Sequence, residues 1–277
     1  MTTTAERLIE AKTSPRSVSQ AKQYDQCPQQ YYLARIAVDI DGNRIWERPA
    51  AWLPQGTAVH KAAEMFERSG RSMALEAVQE VYAASYVEET DAYLAKATMD
   101  TWSHSGPYGG EADISRRFEI GLTQTQAYFD YYTTGPGRQE TIVTIGGVAA
   151  IELPFEAELD GIKIRGYIDA VVSDADGRWI VRDNKTGIQP GDEFQLAVYA
   201  AGIRTQYGDQ ISWGDYWMAR KGKPTKAVDL SQWSVQRVAD VFRSMDTAVK
   251  AERFEAKPEV SKCGRCSFNS YCDYVAF

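Results

Sequence analysis

Three stretches in the first half of the chain carry apolar residues at helical spacing. In 55–68 they are Val59, Ala62, Ala63 and Phe66, and the same period runs through 72–96 and 114–132. Each predicts an amphipathic helix. The run 103–110 (SHSGPYGG) interrupts the period with turn-forming residues and predicts a loop. The middle of the chain changes to an alternating pattern. Ile151, Leu153, Phe155, Ala157 and Leu159 recur at every second position within 148–159, which predicts a half-buried strand. Asp160-Gly161 then stands where a hairpin turn belongs, followed by a strand over 162–173, a turn over 174–177 and a third strand over 178–185. A helix over 192–207, a strand over 211–220 paired with 227–230, and a last amphipathic helix over 234–254 complete the pattern. Helices, then β-β-β-α-β, then a helix predict the α/β (α+β) class: a mixed sheet with helices packed on it.

Composition adds bounds to this outline. The chain has 277 residues, 44% of them hydrophobic, enough apolar mass for a substantial core. The expected organisation is one domain over 1–277. It comprises an N-terminal segment 1–53, a helical region 54–135, a sheet core 140–232, and a C-terminal helix with a cysteine-bearing segment 233–277. No run approaches the roughly 20 apolar residues of a membrane helix. The first dozen residues are polar and lack the apolar core of a secretory signal. The expectation is a cytoplasmic protein with reduced thiols. A net charge of −7 and a pI near 5.1 argue against coating nucleic acid by overall field. They leave room for a local basic surface, which is all that phosphate contact needs.

Candidate chemistry sits at two places. Asp169 lies on the second strand, and Asp183 and Lys185 lie at the end of the third. Residues two apart on a strand share a face, so Asp183 and Lys185 point the same way. The turn at 174–177 can bring Asp169 beside them. Two carboxylates on adjacent strands form a hard-oxygen site of the kind Mg²⁺ or Mn²⁺ favours, and a neighbouring lysine can orient water or balance charge on a phosphate. D-x-K alone is more often a solvated face. The apolar neighbours Ile168, Ala170, Val171, Ile180 and Val181 shift the balance, because polar groups that close to core need partners. The second place is the set of four cysteines. Cys263, Cys266 and Cys272 form C-x2-C-x5-C, and Cys27 stands alone near the other end. Four thiolates suffice for one zinc or one iron–sulfur cluster, and spacing alone does not choose. The one-plus-three split does differ from the paired C-x2-C of common zinc ribbons.

Taken together, the motifs resemble a known family. Gly166-x-Ile168-Asp169, Asp183-x-Lys185-Thr-Gly187 and Gln195-x3-Tyr199 match the pattern of RecB-like nucleases of the PD-(D/E)xK superfamily. Gly56-x3-His60 matches the helical G-x-x-x-H motif that precedes it there. Ser17-Val-Ser19-x4-Tyr24-x2-Cys27-Pro28-x2-Tyr31-Tyr32-Leu33 resembles the N-terminal motif of those members that carry an iron–sulfur staple, the AddB-type and Cas-four nucleases. The resemblance implies a restriction-endonuclease-like sheet core. It implies metal ligation by His60, Asp169, Asp183 and the Asn184 backbone carbonyl, and a catalytic role for Lys185. Gln195 and Tyr199, at i and i+4, would share a helical face beside the site and DNA. Glu152 resembles an acidic position with at most a supporting role. The cysteines would hold a 4Fe–4S cluster.

The implied activity is metal-dependent DNA exonuclease, on single strands or DNA ends. The alternative is a catalytically inactive iron–sulfur DNA-binding module. Expected phosphate contacts are Arg165, Arg178, Arg182, Arg220, Lys221, Lys223 and Lys226, while most of the 16 tyrosines and 7 tryptophans, Trp179 and Trp213 among them, are expected in the core. Without a G-x4-G-K-[ST] loop a helicase–nuclease fusion in this one chain is not expected. A separate helicase, recombination or CRISPR-adaptation partner fits the resemblance, as does a phage-encoded protein working in its host's cytoplasm.

Overall fold

Buried side chains fall at every second position from Ile151 to Leu159, as the alternation requires. In the computed structural model, which describes residues 2–277, the helices α1 (Thr4–Thr13), α2 (Val18–Gln26), α3 (Pro28–Arg35), α4 (Trp52–Arg68), α5 (Leu75–Leu94) and α6 (Gly110–Thr133) come first. Three short strands follow, β1 (Thr141–Ile142), β2 (Thr144–Ile145) and β3 (Val148–Ala149), then β4 (Ile151–Leu159), β5 (Ile162–Ser173) and β6 (Trp179–Lys185). The chain continues through α7 (Glu193–Gln206), β7 (Trp213–Met218), β8 (Lys223–Pro224), β9 (Val228–Asp229), α8 (Val235–Lys250) and α9 (Val260–Cys263).

The main sheet has the order β1-β5-β6-β7-β8, with β4 also on β5 and β9 also on β7. Strands β5 and β6 are antiparallel, whereas β6 and β7 are parallel across the α7 crossover. The result is the mixed α+β sheet that the pattern predicted. Asp160 and Gly161, both at positive φ (50° and 79°), make the tight turn between β4 and β5. One expectation is corrected. The strand read over 148–159 is two strands: 148–149 folds back on 144–145 around Gly146-Gly147, both at positive φ. Beyond that break Glu152 adopts φ 46°, a left-handed backbone costing about 1–3 kcal/mol for a non-glycine residue.

The described residues form two compact units. One comprises residues 49–155 and 167–234. Its helical layer buries Ala58, Val59, Ala62 and Phe66 of α4 against Val78, Tyr82 and Tyr86 of α5 and Tyr128 and Tyr132 of α6, with Trp217 of β7. Gly121 is what lets α5 and α6 close: a Cβ there would lie 2.0 Å from the Tyr82 hydroxyl, which donates to Phe118 O at 3.0 Å. Nine of the 23 tyrosines and tryptophans are buried, Trp217 among them, fewer than expected, and Trp179 and Trp213 are only half-buried.

The other unit is discontinuous in sequence, formed by residues up to 48, 156–166 and 235–277. Helix α8 buries Val238, Ala239, Phe242, Met245 and Val249 along one face. Arg16, 1% exposed, holds Asp246 of α8 through Nε and Nη2 at 2.9 and 2.7 Å, and its backbone pairs with Ile164 of β5. Tyr24 donates to Arg253 O at 2.5 Å, and the rings of Tyr31 and Tyr32 lie against Phe254. Among the described residues no helix is long and apolar enough to cross a membrane.

Candidate active site

Sequence-distant side chains converge in the first unit. Pairing of β5 with β6 runs to Ala170↔Arg182, and one step further Asp169 faces Asp183. The Asn184 N–H donates to Asp169 Oδ2 at 2.6 Å, which fixes that carboxylate at the end of the ladder. Helix α4 buries one face, leaving His60 on its flank, 31% exposed, with Nδ1 at 3.5 Å from Asp169 Oδ2. Atoms of His60, Glu152 and Asp169 lie within 4.8 Å of one another, a spacing that one cation could bridge. An open cavity of about 400 Å³ borders them, lined by Gly56, Thr57, His60, Lys61, Glu64 and Glu152.

Asp183 and Lys185 share a face, as strand alternation demands. Lys185 Nζ is 2.6 Å from Asp183 Oδ2 and 3.4 Å from Gln195 Oε1. Asp192 caps α7 by accepting from the Gln195 N–H. Gln195 and Tyr199 then point together at β6: Gln195 Nε2 donates to Asp183 Oδ1 at 2.5 Å, and the Tyr199 hydroxyl donates to the same oxygen at 3.1 Å. Asp183, Lys185, Gln195 and Tyr199 are thus one group joined by hydrogen bonds and an ion pair, with Asp169 held by the neighbouring Asn184 N–H and His60 beside Asp169. Asn184 enters through its N–H, and its buried Oδ1 has no partner among the described residues.

The electrostatics are those of crowded acids. Burial, with the charge of Asp169 adding to it and His60 opposing, pushes the Glu152 carboxyl up to about 7. Burial also pushes Asp169 up to about 6, with Asp183 adding and His60 and the Asn184 N–H opposing. Burial and then the Asp183 charge hold the Tyr199 phenol well above its usual range. Carboxyl groups that retain protons so readily form a donor set suited to a divalent cation, which would take the protons' place.

Glu152 is the residue that sequence reasoning undervalued. In β4 it belongs to the polar series with Glu156 and Glu158, so alternation reads it as solvated. Its left-handed backbone, unreadable from the pattern, is associated with its position beside His60 and Asp169. Arg182 is a second correction. Strand β6 is buried along its middle, and the Arg182 guanidinium, 1% exposed, is occupied by Asp215 (2.8 and 2.7 Å), the Tyr132 hydroxyl (2.6 Å) and Glu140. No face of it is left for phosphate. Arg220, Lys221, Lys223 and Lys226 are exposed after β7, and Arg165 is exposed in the other unit.

Within that other unit the four cysteines come together. All four are free, partly buried thiols lining one cavity with Leu33, Ala256 and Pro258. The Lys257 N–H donates to Cys27 Sγ at 3.4 Å. Burial pushes the Cys266 thiol up, and the other three sulfurs add to the effect.

The PD-(D/E)XK nuclease superfamily is matched over residues 15–273, and the chain belongs to that superfamily; its mixed α+β fold is of the restriction-endonuclease-like kind. Members of this superfamily use divalent metals. The chain is 43% identical over 274 residues to the Gene 69 protein of Mycobacterium phage D29, covering 96% of this chain and 98% of that one. It is 42% identical over 284 residues to the Gene 69 protein of Mycobacterium phage L5, covering 93% and 95%. The solved structure of SSO0001 covers 59% of this chain and 79% of its own at 14% identity and a TM-score of 0.30, a likeness too slight to carry inference.

Proposed function

We propose that this chain is a metal-dependent DNA exonuclease of the RecB-like, iron–sulfur-stapled kind, one nuclease over 1–277 acting on single strands or DNA ends. The observation that carries the reading is the convergence of His60, Glu152 and Asp169 within 4.8 Å, with the Asp183–Lys185 pair on the adjoining strand. His60, Glu152, Asp169 and Asp183 would hold Mg²⁺ or Mn²⁺, which supplies Lewis acidity toward the phosphate and acidifies a bound water. Lys185, paired with Asp183 at 2.6 Å, donates to a phosphate oxygen or orients the incoming water. Gln195 and Tyr199 hold Asp183 in place by donating to its Oδ1. Water oxygen bonds to phosphorus and gives up a proton, the bond from phosphorus to the leaving deoxyribose oxygen breaks, and that oxygen takes up a proton, so the net change is one water added. Arg178, Arg220, Lys221, Lys223 and Lys226 grip the backbone without reading bases.

Cys27, Cys263, Cys266 and Cys272 would hold a 4Fe–4S cluster. Four free thiols around one apolar cavity support this, and the cluster's role is structural: tying residue 27 to 263–272 closes a loop of nearly the whole chain, worth about 5 kcal/mol if it acts as a covalent cross-link does. The working compartment is the cytoplasm of a phage host, with a helicase, recombination or CRISPR-adaptation protein as partner; the phage relatives support the first of these statements.

The deciding experiment is digestion of end-labelled linear and closed circular DNA by anaerobically purified protein, with Mg²⁺, Mn²⁺ or EDTA. Metal-dependent loss of linear DNA with circles intact is expected. Intact linear DNA in every metal, with DNA still bound, sinks the exonuclease reading and leaves an inactive binding module. Iron analysis of the same preparation is expected to find about four irons per chain; one zinc instead removes the cluster.

A further inference from the structure

A second cavity, of about 520 Å³, lies in the discontinuous unit and has no part in the site described above. Five of its lining residues are arginines, Arg7, Arg16, Arg35, Arg44 and Arg165, drawn from α1, the segment after it, α3, the loop after α3, and β5. The chain as a whole carries a net charge of −7, so five guanidinium groups around one hollow run against its overall balance. Glu10 is the one acidic side chain among the described lining residues.

The floor is built and the rim is open. Arg16 is 1% exposed and locked to Asp246, and Gln20, 7% exposed, keeps its amide oxygen without a partner among the described residues. Arg7 is held by donating Nε and Nη2 to Arg35 O at 3.2 and 2.8 Å, which fixes two of the arginines relative to each other. Arg44 and Arg165 are exposed, and Arg44 lies over the Trp46 ring at 5.1 Å. The charges strain against one another. Burial and then Arg44 pull Arg7 down, and burial pulls Arg35 down with Arg44 and Arg165 adding to it, against Tyr31 and Glu47. An anion entering the cavity relieves that repulsion, and planar guanidinium forks match tetrahedral oxyanions in geometry as well as charge.

We propose that this arginine-lined cavity is a phosphate-binding site that holds a phosphate group of the nucleic acid, apart from the catalytic residues. The donors of Arg16 are taken by Asp246 and Ala11 O, which leaves Arg7, Arg35, Arg44 and Arg165 lining the hollow. Phosphate is favoured over a flat carboxylate because a tetrahedral group spreads its free oxygens, two on an internal phosphodiester and three on a terminal phosphate, out of one plane toward more than one fork. The choice of nucleic acid as its carrier rests on the nuclease reading; the anion chemistry does not. A terminal phosphate and an internal phosphodiester share this chemistry, and both fit a hollow with an open rim.

The test is fluorescence-anisotropy binding of one single-stranded oligonucleotide, with and without terminal phosphates at either end, to the full-length chain in EDTA over a range of salt. It is repeated with Arg44→Gln/Arg165→Gln, whose altered side chains are exposed and outside the core. Wild type preferring a phosphorylated end, and the double variant losing that preference with about a tenfold or greater drop in affinity, supports a terminal phosphate. Equal binding of all oligonucleotides by wild type, with the double variant weaker on all of them and its salt slope lower by about 1.4, supports an internal phosphodiester. Arg44→Lys/Arg165→Lys, which keeps the charge, is expected to recover part of the loss in either case. A double variant that melts like wild type and binds every oligonucleotide within twofold of it, with the same slope, overturns the proposal. Absence of metal-dependent digestion by wild type, measured separately, overturns only the nuclease reading.

Discussion

Asn184 donates its backbone N–H to Asp169 Oδ2 at 2.6 Å, one step beyond the last ladder pair of β5 and β6. The bond asks Asp169 for an acceptor oxygen, while a cation asks it for negative charge. Asp169→Asn separates the two demands. The amide oxygen still accepts from Asn184, and a buried charge beside Asp183 disappears. The expected outcome is a metal-free protein that melts at or above the wild-type temperature, with Mn²⁺ binding lost and DNA cleavage down by about a hundredfold or more. Calorimetric titration with Mn²⁺ alongside thermal melts checks both halves.

Lys185 sits 2.6 Å from Asp183 Oδ2, so its charge opposes any cation that the same carboxylate holds. Removing the ammonium therefore leaves metal affinity unchanged or tighter, while the turnover number falls by about 10²–10³. Lys185→Ala assayed for Mn²⁺ affinity and single-turnover cleavage tests this. Wild-type cleavage by the variant removes Lys185 from the mechanism.

The two raised acids set a pH dependence. Glu152, at about 7, and Asp169, at about 6, hold protons in the folded protein that the unfolded chain releases near 4. Between pH 4 and 7 the folded state therefore binds more protons, and the stability of the metal-free protein falls as pH rises through that window. Cation binding displaces those protons, so the melting-point gain from Mn²⁺ grows from pH 5 to pH 7.5. Melts with and without Mn²⁺ across that range give the answer; a gain that shrinks with pH contradicts the assigned ligands.

Arg182 and the exposed basic loop after β7 differ in kind. Arg182→Met strands the buried Asp215 and Glu140 carboxylates without their counter-charge and is expected to cost about 3–5 kcal/mol of stability. Arg220→Gln, Lys221→Gln and Lys223→Gln leave melting unchanged. Each lowers the salt slope of single-strand binding by about 0.7 wherever its side chain touches phosphate. Melts and salt-dependent binding on the same set of variants separate the two roles.

The elements that carry the site were readable because their signals are local. Alternation from Ile151 to Leu159, the Asp160-Gly161 turn and the two-residue spacing of Asp183 and Lys185 follow from strand geometry and turn chemistry alone. The pairing of 227–230 with 211–220 is present as Val228 and Asp229 on Trp213 and Gly214. What escaped is what depends on distant neighbours. Nothing local separates Arg182, at a buried strand centre, from Arg178, at its solvent end. The left-handed backbone at Glu152, which follows the β2–β3 fold-back, has no signature in residue type. The arginines at 7, 35, 44 and 165 are scattered through the sequence, and only the path of the chain gathers them.

The unit that gathers the four thiols is assembled from the first and last parts of the chain. A ribosome working at about 5–20 residues per second exposes Cys27 some 12–50 seconds before Cys272. Residues 49–155 and 167–234 have all emerged by then. The four sulfurs can therefore meet only after the whole of the other unit has been made. A chain cut short between Tyr199 and Cys263 carries its nuclease motifs but only one of the four thiols.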